Sequence, residues 1–578
     1  MKLNIVPAGN DKVFYAAKSV RKGGKVKTVN IIRIGKLSEL ALKHPDPVAY
    51  CRAYVRKLTE DERQGSAELI VRLRQGERIE MGKQPRFNAG YLFLQKIFAQ
   101  LGLGDACRSI SGASGASYDL GKILKDLVFS RIIFPSSKLS TFELSHRYLE
   151  QPDYEIQNVY RALDLLSANI DSIQSKAYKS SSGICKRDTR VLYYDCTNFF
   201  FETEEQDGFR NYGPSKEHRP NPIVQMGLFM DGSGLPLAFN VNPGNQSEQL
   251  SPLPTEKLIE KDFGLSKFIY CSDAGLGSYS IRWFNQLSDR SYIVTQSLKK
   301  LKGDQLIWAL ADSGWNGRKT IQRLDPDSKE VLYKSTALLE SGMVRAEGGG
   351  KERRTIKDQR LIVTYSPVYA RYQRQIRERQ VERAMEIIAS PSRYDRFSST
   401  DCKRFIENIR YDKNGEIVAG RLSLLQSAID EEARYDGYYA LVTNLDGDAR
   451  EIADINHSRW EIEESFRIMK TSFKSRPVYL QRENRIKAHF LTCFLALLIY
   501  RILEQRVNAK GGKYTADEIV GALREADLLE LNEVCFVPAF KRTGLTDRLE
   551  EVSGLSISSR GISNTNCTKL IRQSNKRD

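Results

Sequence analysis

Three glutamates stand within four positions of RWEIEESFRIMK, Arg459 to Lys470, between an arginine and a lysine. A carboxylate in such a row can hold a metal ion or pair with a cation, so its face decides its use. At about 100° per residue with Arg459 as origin, Glu463 falls near 40° and Lys470 near 20°, while Glu461 and Glu464 fall near 200° and 140°. Ile462, Phe466 and Met469 lie at about 280° to 340°, so the Arg459, Glu463, Lys470 row borders the stripe that packs inward. Glu461 and Glu464 read as outward or supporting charges. Taken alone, Arg459 and Glu463 also fit an ordinary i, i+4 pair worth about 0.2–0.5 kcal/mol.

Two aspartates upstream give the row a context. Asp195 follows VLYY and precedes CTNFFFE, and Asp273 follows FIYCS and precedes AGLGSYS, each at the end of a strand-like run. Each also fits a turn or cap aspartate. Strand ends in one sheet can approach one another, and like charges a few ångströms apart in a partly buried site repel. A divalent cation relieves that repulsion, and the pair then wants a third acidic ligand. Oxygen-only ligation suits magnesium or manganese and leaves positions open for phosphate oxygens and water.

The elements that must position these groups follow a strand-rich order. RVLYYDC (190–196), PIVQMGLFM (222–230) and LPLAFNV (235–241) read as adjacent antiparallel strands, the last two joined by DGSG. A helix near 253–263, the strand KFIYC (267–271), a helix near 279–288 and the strand SYIVTQ (291–296) continue the sheet in parallel. From about 300 to 435 the pattern changes to an insertion, with strand-like KEVLYKSTALL and RRTIKDQRLIVTYS and an arginine-rich helix through YQRQIRERQVERAMEII. YYALVTNL (438–445) resumes the sheet and leads into one long helix with the charged row. Ahead of all this, residues 12–36 form a basic hairpin around RKGGK, and residues 89–180 are helical. Those helices could hold DNA, a second subunit, or only each other.

Composition narrows the partners. Lysine and arginine number 89 against 72 acidic residues, and the net charge of +17 favours a polyanion such as nucleic acid. Nine scattered cysteines without a CxxC pair read as reduced thiols rather than a zinc site. No GxxxxGK[ST] loop is present, which argues against an ATP-driven mechanism. The five histidines are dispersed, and His489 on a leucine-rich helix reads as a core residue. The start, MKLNIVPAGNDK, has no apolar run, so the chain is expected to stay where it is made. FLTCFLALLIY (490–500) is shorter than the roughly 20 residues of a membrane span and reads as a buried helix, with no membrane partner.

The ordered segments resemble DDE transposases of bacterial insertion sequences, in the superfamily named after insertion sequence four and its Tyr-Arg-Glu-Lys signature subgroup. The resemblance rests on YYDCTN, GPSKEHRPNP, GLPLAFNVNPGN, SDAGL, DGYYALVTNL and the spacing of Arg459, Glu463 and Lys470, over about 190–500. Asn456 stands at the position of the signature tyrosine. The resemblance implies an α/β fold: an RNase H-like mixed-sheet catalytic core with a β-rich insertion, preceded by a helical region and a small N-terminal β-hairpin. The corresponding segments are 1–85, 86–185 (helical, a possible DNA-end-binding region), 186–299, 300–436 (insertion), 437–510 and 511–578, the last without an assigned role.

The resemblance also implies a chemistry. Asp195, Asp273 and Glu463 would be the catalytic residues and would hold two Mg²⁺ or Mn²⁺ ions about 4 Å apart. Arg459, Lys470, Asn456, Lys216 and Arg219 would contact double-stranded DNA, at element ends and target, in a bacterial cytoplasm beside the nucleoid. Synapsis of two ends implies a homodimer. Asparagine at 456 can hydrogen-bond a base but cannot stack on one. His218 shares the basic loop with Lys216 and Arg219, which also fits a plain solvated loop. The arginines after Tyr365 could track phosphates or pair with Glu378, Glu382 and Glu386. A catalytically lost DNA-binding relative, or a nuclease of the same fold without strand transfer, are the alternative functions.

Overall fold

The computed structural model describes residues 1–9, 11–22, 25–64, 69–71, 76, 78–217, 219–288, 290–301, 303–345, 350–390, 400–411 and 417–577. The chain forms two compact units, one of Met1–Leu92, Arg147–Glu150 and Ala522–Ser574, the other of Phe93–His146, Gln151–Gly521 and Asn575–Asp578. Every residue given a catalytic, metal-holding or DNA-contacting role above lies in the second.

That second unit is built on a mixed sheet of eight strands: β1 (Val191–Phe200), β2 (Ile223–Asp231), β3 (Pro236–Pro243), β4 (Ile269–Ser272), β5 (Ser291–Thr295), β6 (Leu332–Arg345), β7 (Lys351–Tyr365) and β8 (Tyr438–Thr443). Their spatial order is β6-β7-β8-β5-β4-β1-β2-β3. The centre, β1-β4-β5, is parallel, and both flanks are antiparallel. Chain alternation gives the sheet two apolar faces. Leu192, Tyr194 and Cys196 face one core, and Val191 and Tyr193 face the other, with Cys271, Ile293, Leu441 and Ile452.

Two sequence expectations change. Strand β1 does not stop at Asp195: CTNFF continues it to Phe200, because β2 pairs along its whole length, with Asp195 opposite Leu228 and Phe200 opposite Ile223. The segment read as an insertion also supplies strands to the main sheet. The half of β7 rich in apolar residues, from Arg360 to Tyr365, ladders with β8, and β6 ladders with β7. Only Ile406–Tyr411 and Ile417–Leu424 form a separate two-stranded sheet.

Six helices matter to the site: α1 (Leu120–Ile133), α2 (Lys138–Ser145), α3 (Pro367–Ala389), α4 (Ala449–His457), α5 (Trp460–Lys470) and α6 (Glu483–Asn508). The long helix expected after β8 is broken into α4 and α5, with Arg459 capping α5. Helix α6 is long and apolar enough to cross a membrane by length and composition, yet 94% of its apolar window is buried inside the protein. It is a core helix, as FLTCFLALLIY suggested. His489 on it is buried and bonded to the Ser475 carbonyl at 3.1 Å, a satisfied core histidine.

The first unit holds a three-stranded antiparallel sheet, Lys2–Ala8, Asp11–Lys22 and Lys25–Lys36, so a third strand joins the expected hairpin. Its basic tip at Gly23 and Gly24 lies outside the described residues. A four-stranded sheet joins Arg86–Asn88 to Asp527–Leu531, Cys535–Pro538 and Ile562–Ser563, giving the C-terminal region a structural place the sequence did not suggest.

Candidate active site

Parallel register brings the two aspartates together. Val191 pairs with Ile269 and Tyr193 with Cys271, an offset of 78 residues (269 less 191) that sets Asp195 level with Asp273, just past the end of β4. Neighbouring strands lie about 4.8 Å apart, and equal parity puts both side chains on the face that carries Tyr193 and Cys271. That face is covered by α4, whose Ile455 carbonyl accepts a bond from the Tyr193 hydroxyl at 2.9 Å.

The electrostatics match the geometry. Burial pushes the Asp195 carboxyl up to about 6, Lys216 and the Cys196 N–H oppose that, and the neighbouring charge of Asp273 adds to it. Asp195 Oδ1 accepts the Cys196 N–H at 2.7 Å, and Asp273 Oδ1 accepts the Leu276 N–H at 3.0 Å. Asp273 is therefore a turn-capping aspartate as well as a member of the pair. Burial works against the charge on Arg459, but Tyr439, Asp195, Glu463 and Asp273 together hold its guanidinium above the ordinary value. Its Nη2 lies 3.3 Å from Glu463 Oε1, and its Nε is buried without a hydrogen-bond partner.

Glu463 thus reaches the pair only through Arg459, and its side chain is 59% exposed. Among the described residues no three His, Cys, Asp or Glu side chains converge closely enough to hold a metal ion. What converges is the Asp195–Asp273 pair, with Arg459 between it and Glu463. Of the two roles open to the other glutamates, outward or supporting, the supporting one holds. Glu461 is half-buried against Gly234, where an added Cβ would fall 1.8 Å from Glu461 Oε2, and Glu464 lies 3.9 Å from Arg501 of α6. The projection left this open because α6 packs on the flank of α5 opposite the sheet-facing edge.

The expected DNA contacts separate into two groups. Lys216 Nζ lies 4.0 Å from Asp195 Oδ1 and donates to the Cys196 carbonyl. Arg219 stacks its guanidinium 4.1 Å from the Phe200 ring centroid, and Lys470 lies 5.5 Å from that of Phe199. All three cations therefore gather near the C-terminal end of β1. His218 lies outside the described residues. Asn456, expected to face DNA, is buried instead: its Nδ2 donates to the Tyr439 hydroxyl at 3.1 Å and its Oδ1 accepts weakly from Cys271 Sγ at 3.7 Å. It is a packing residue between α4 and the sheet. Sequence reasoning also missed Arg476 and Glu217, whose roles depend on the approach of distant loops; the one signal was a glutamate inside the basic run of GPSKEHRPNP.

The turn that carries Asp273 rests on a close approach. A Cβ on Gly277 would fall 1.6 Å from Val294 Cγ1 on β5. Gly277→Ala is expected to cost about 1–3 kcal/mol of stability by overpacking and to shift Asp273 off its level with Asp195. A lower melting temperature together with reduced activity checks it.

Residues 271–499 match the family described as "Transposase DDE domain", a span that includes Asp273, Arg459, Glu463 and Lys470 and begins after Asp195. The match supports a DDE transposase. No curated protein matches the chain. Among solved structures the chain is similar to a piggyBac transposase synaptic complex with hairpin DNA, at 11% sequence identity and a TM-score of 0.36, over 82% of this chain and 87% of that one.

Proposed function

We propose that this chain is a transposase that binds the ends of an insertion sequence, cuts DNA phosphodiester bonds at the Asp195–Asp273 centre, and joins those ends to a target, on an RNase H-like core. The observation that carries this reading is the in-register aspartate pair beside Arg459 and Glu463, in a chain whose residues 271–499 match a transposase DDE domain. Asp195 and Asp273, joined by Glu463, would hold Mg²⁺ or Mn²⁺, two ions per site. Such ions, when bound, activate water or a hydroxyl and neutralise charge on the leaving oxygen. The donors suit them: all are carboxylate oxygens, and the burial and mutual repulsion that raise Asp195 are what a divalent cation relieves. Glu463 is exposed, and among the described residues its ion pair is with Arg459 alone, so its side chain has room to reorient.

The remaining work falls to the cations. Arg459 can present its planar fork to a phosphate, and Lys470 supplies a point charge nearby. Double-stranded DNA is the partner, and two ends held together require two copies of the chain. Asn456 is buried against Tyr439, so in this reading it packs beneath the site. Incubation with Mg²⁺ and duplexes carrying the sequences that flank the gene, scored for nicks, hairpins and joined products, tests the reading. Failure to process any such DNA, with the aspartates intact, would overturn it.

Helix α3 extends the DNA surface in this reading. Val368, Tyr369, Tyr372 and Ile376 are exposed and fall within about 100° of arc, and Arg379 and Arg383 continue the same stripe. Tyr369 and Tyr372 stack at 6.4 Å, and Tyr369 lies beside Tyr439 at the edge of the site. Arg371 pairs with Asp327 and Arg377 with Asp436, but Arg374, Arg379 and Arg383 have no ion pair among the described residues. The pairing with Glu378, Glu382 and Glu386 allowed by the sequence is absent there. Replacing Arg379 and Arg383 by alanine is expected to flatten the salt dependence of duplex binding by about two units of log–log slope, measured by anisotropy across a KCl series.

A further inference from the structure

Glu217 occupies a place that the chemistry above does not need. Three cations from three segments converge on its carboxylate. Lys470 Nζ from the end of α5 lies 3.5 Å from its Oε1, Arg476 from the loop between α5 and α6 forms an ion pair with the same oxygen, and Arg219 Nε lies 4.0 Å from its Oε2. The floor beneath them is aromatic. Lys470 lies over Phe199, and Arg219 and Arg476 both lie over Phe200, the last two residues of β1. Rings under guanidinium and ammonium groups fix their position without neutralising their charge.

The charges in this seat do not balance. Three cations meet one carboxylate, and Lys216 stands close enough to add to the repulsion on Lys470. The Lys470 ammonium also feels Asp195, so the seat adjoins the catalytic pair. It opens to solvent on the side of Arg219, which is 52% exposed. A phosphodiester carries the same single negative charge as a carboxylate, but its oxygens spread in three dimensions and can meet three donors at once. We propose that Arg219, Lys470 and Arg476 form a seat for a DNA backbone phosphate next to the reacting one, and that the Glu217 carboxylate fills it in the free protein and is displaced when DNA binds.

This inference rests on the DNA-processing reading and adds to it. Glu217 stands in for a phosphate, so it keeps the three cations assembled and also opposes every duplex that approaches. Only DNA that gains further contacts elsewhere displaces it at little net loss, which turns a general cation cluster into a selective one. A merely structural Glu217, tying its loop to the α5–α6 loop, has the opposite consequence: removing its charge would loosen the cations and weaken DNA binding.

Anisotropy with the full chain, a short labelled duplex of arbitrary sequence, moderate salt and no divalent metal separates the two. Glu217→Gln is expected to tighten binding about fivefold, while Lys470→Met and Arg476→Met weaken it by about fivefold or more. In the double variant Glu217→Gln/Arg476→Met the gain is expected to vanish, because both changes act on one seat. Glu217→Asp, which keeps the charge but withdraws it by one methylene, is expected to give a gain of roughly twofold and serves if the glutamine variant does not fold. If wild type binds the duplex and neither Glu217 variant binds it more tightly, the placeholder is overturned while the DNA reading stands. If wild type does not bind duplex at all, the DNA reading falls and the seat with it.

Discussion

Asp195→Asn and Asp273→Asn are each expected to lower metal-dependent DNA cleavage on the order of 10³-fold or more while leaving duplex binding unchanged or tighter. The size follows from their place: both carboxylates stand at the same level on adjacent parallel strands, and among the described residues no third His, Cys, Asp or Glu side chain converges with them to take over a lost ligand. The direction of the binding effect follows from charge. Each substitution removes a negative group from the path of a phosphate, so binding cannot weaken for electrostatic reasons. Glu463→Gln is expected to have a smaller effect on the free protein's stability than either, because its side chain is mostly in water.

A second readout of the same residues is pH-linked. Asp195 is held up to about 6, above the unfolded carboxylate value, so its proton stabilises the fold at low pH and that contribution is lost as pH rises through about 6. Above that pH Asp195 carries its charge beside Asp273, where a cation is most needed. Addition of Mg²⁺ or Mn²⁺ is therefore expected to raise the melting temperature at pH 7.5 and much less at pH 5, and chelation is expected to reverse the rise. The asparagine variants lose the response. A metal-induced shift of equal size in wild type and in both variants would place the metal elsewhere.

Much of this site was legible because it depends on short-range order. The short apolar runs VLYY, MGLFM and FIYC marked the strands, and the DGSG turn marked the hairpin between β2 and β3. The stripe Ile462, Phe466, Met469 is buried, which is why the projection placed Glu463 correctly on the edge beside Arg459. The same projection left Glu461 and Glu464 as outward or supporting, since a single helix cannot say that α6 brings Arg501 to its other flank. Asp195 read as a strand end because the polar Thr197 and Asn198 follow it, although pairing with β2 carries the strand on to Phe200. Asn456 read as a DNA contact from its place in a motif, and only the contact with Tyr439 shows that it packs. The Glu217 seat was invisible for the most general reason: its members come from three segments whose approach is set by the tertiary fold.

The core beneath that loop carries the other large effect, since Lys138→Met is expected to stabilise the protein. Lys138 opens α2 and is buried, with its ammonium lacking any hydrogen-bond partner. Beside it Arg131 of α1 is also buried, and it donates to the carbonyls of Phe473, Lys474 and Ser136, so it braces the loop that presents Arg476. Among the described residues neither cation has a carboxylate in ion-pair contact. Burial first, then repulsion from Arg131, lowers the Lys138 ammonium to about 7, with Cys493 opposing. An uncompensated buried charge of this kind is replaced by an apolar side chain of similar length with a gain of about 1–4 kcal/mol. The sign with pH follows from the direction of the shift. Below about 7 both folded and unfolded chains hold the proton and the full penalty is present; between there and the unfolded value near 10.4 the unfolded chain alone holds it, so wild-type stability climbs with pH. The melting temperature of Lys138→Met should therefore exceed that of wild type by several degrees at pH 6 and by much less at pH 9.5. A variant that melts below wild type at pH 6 would mean that the ammonium has a partner, and that the brace on the Arg476 loop is built around its charge.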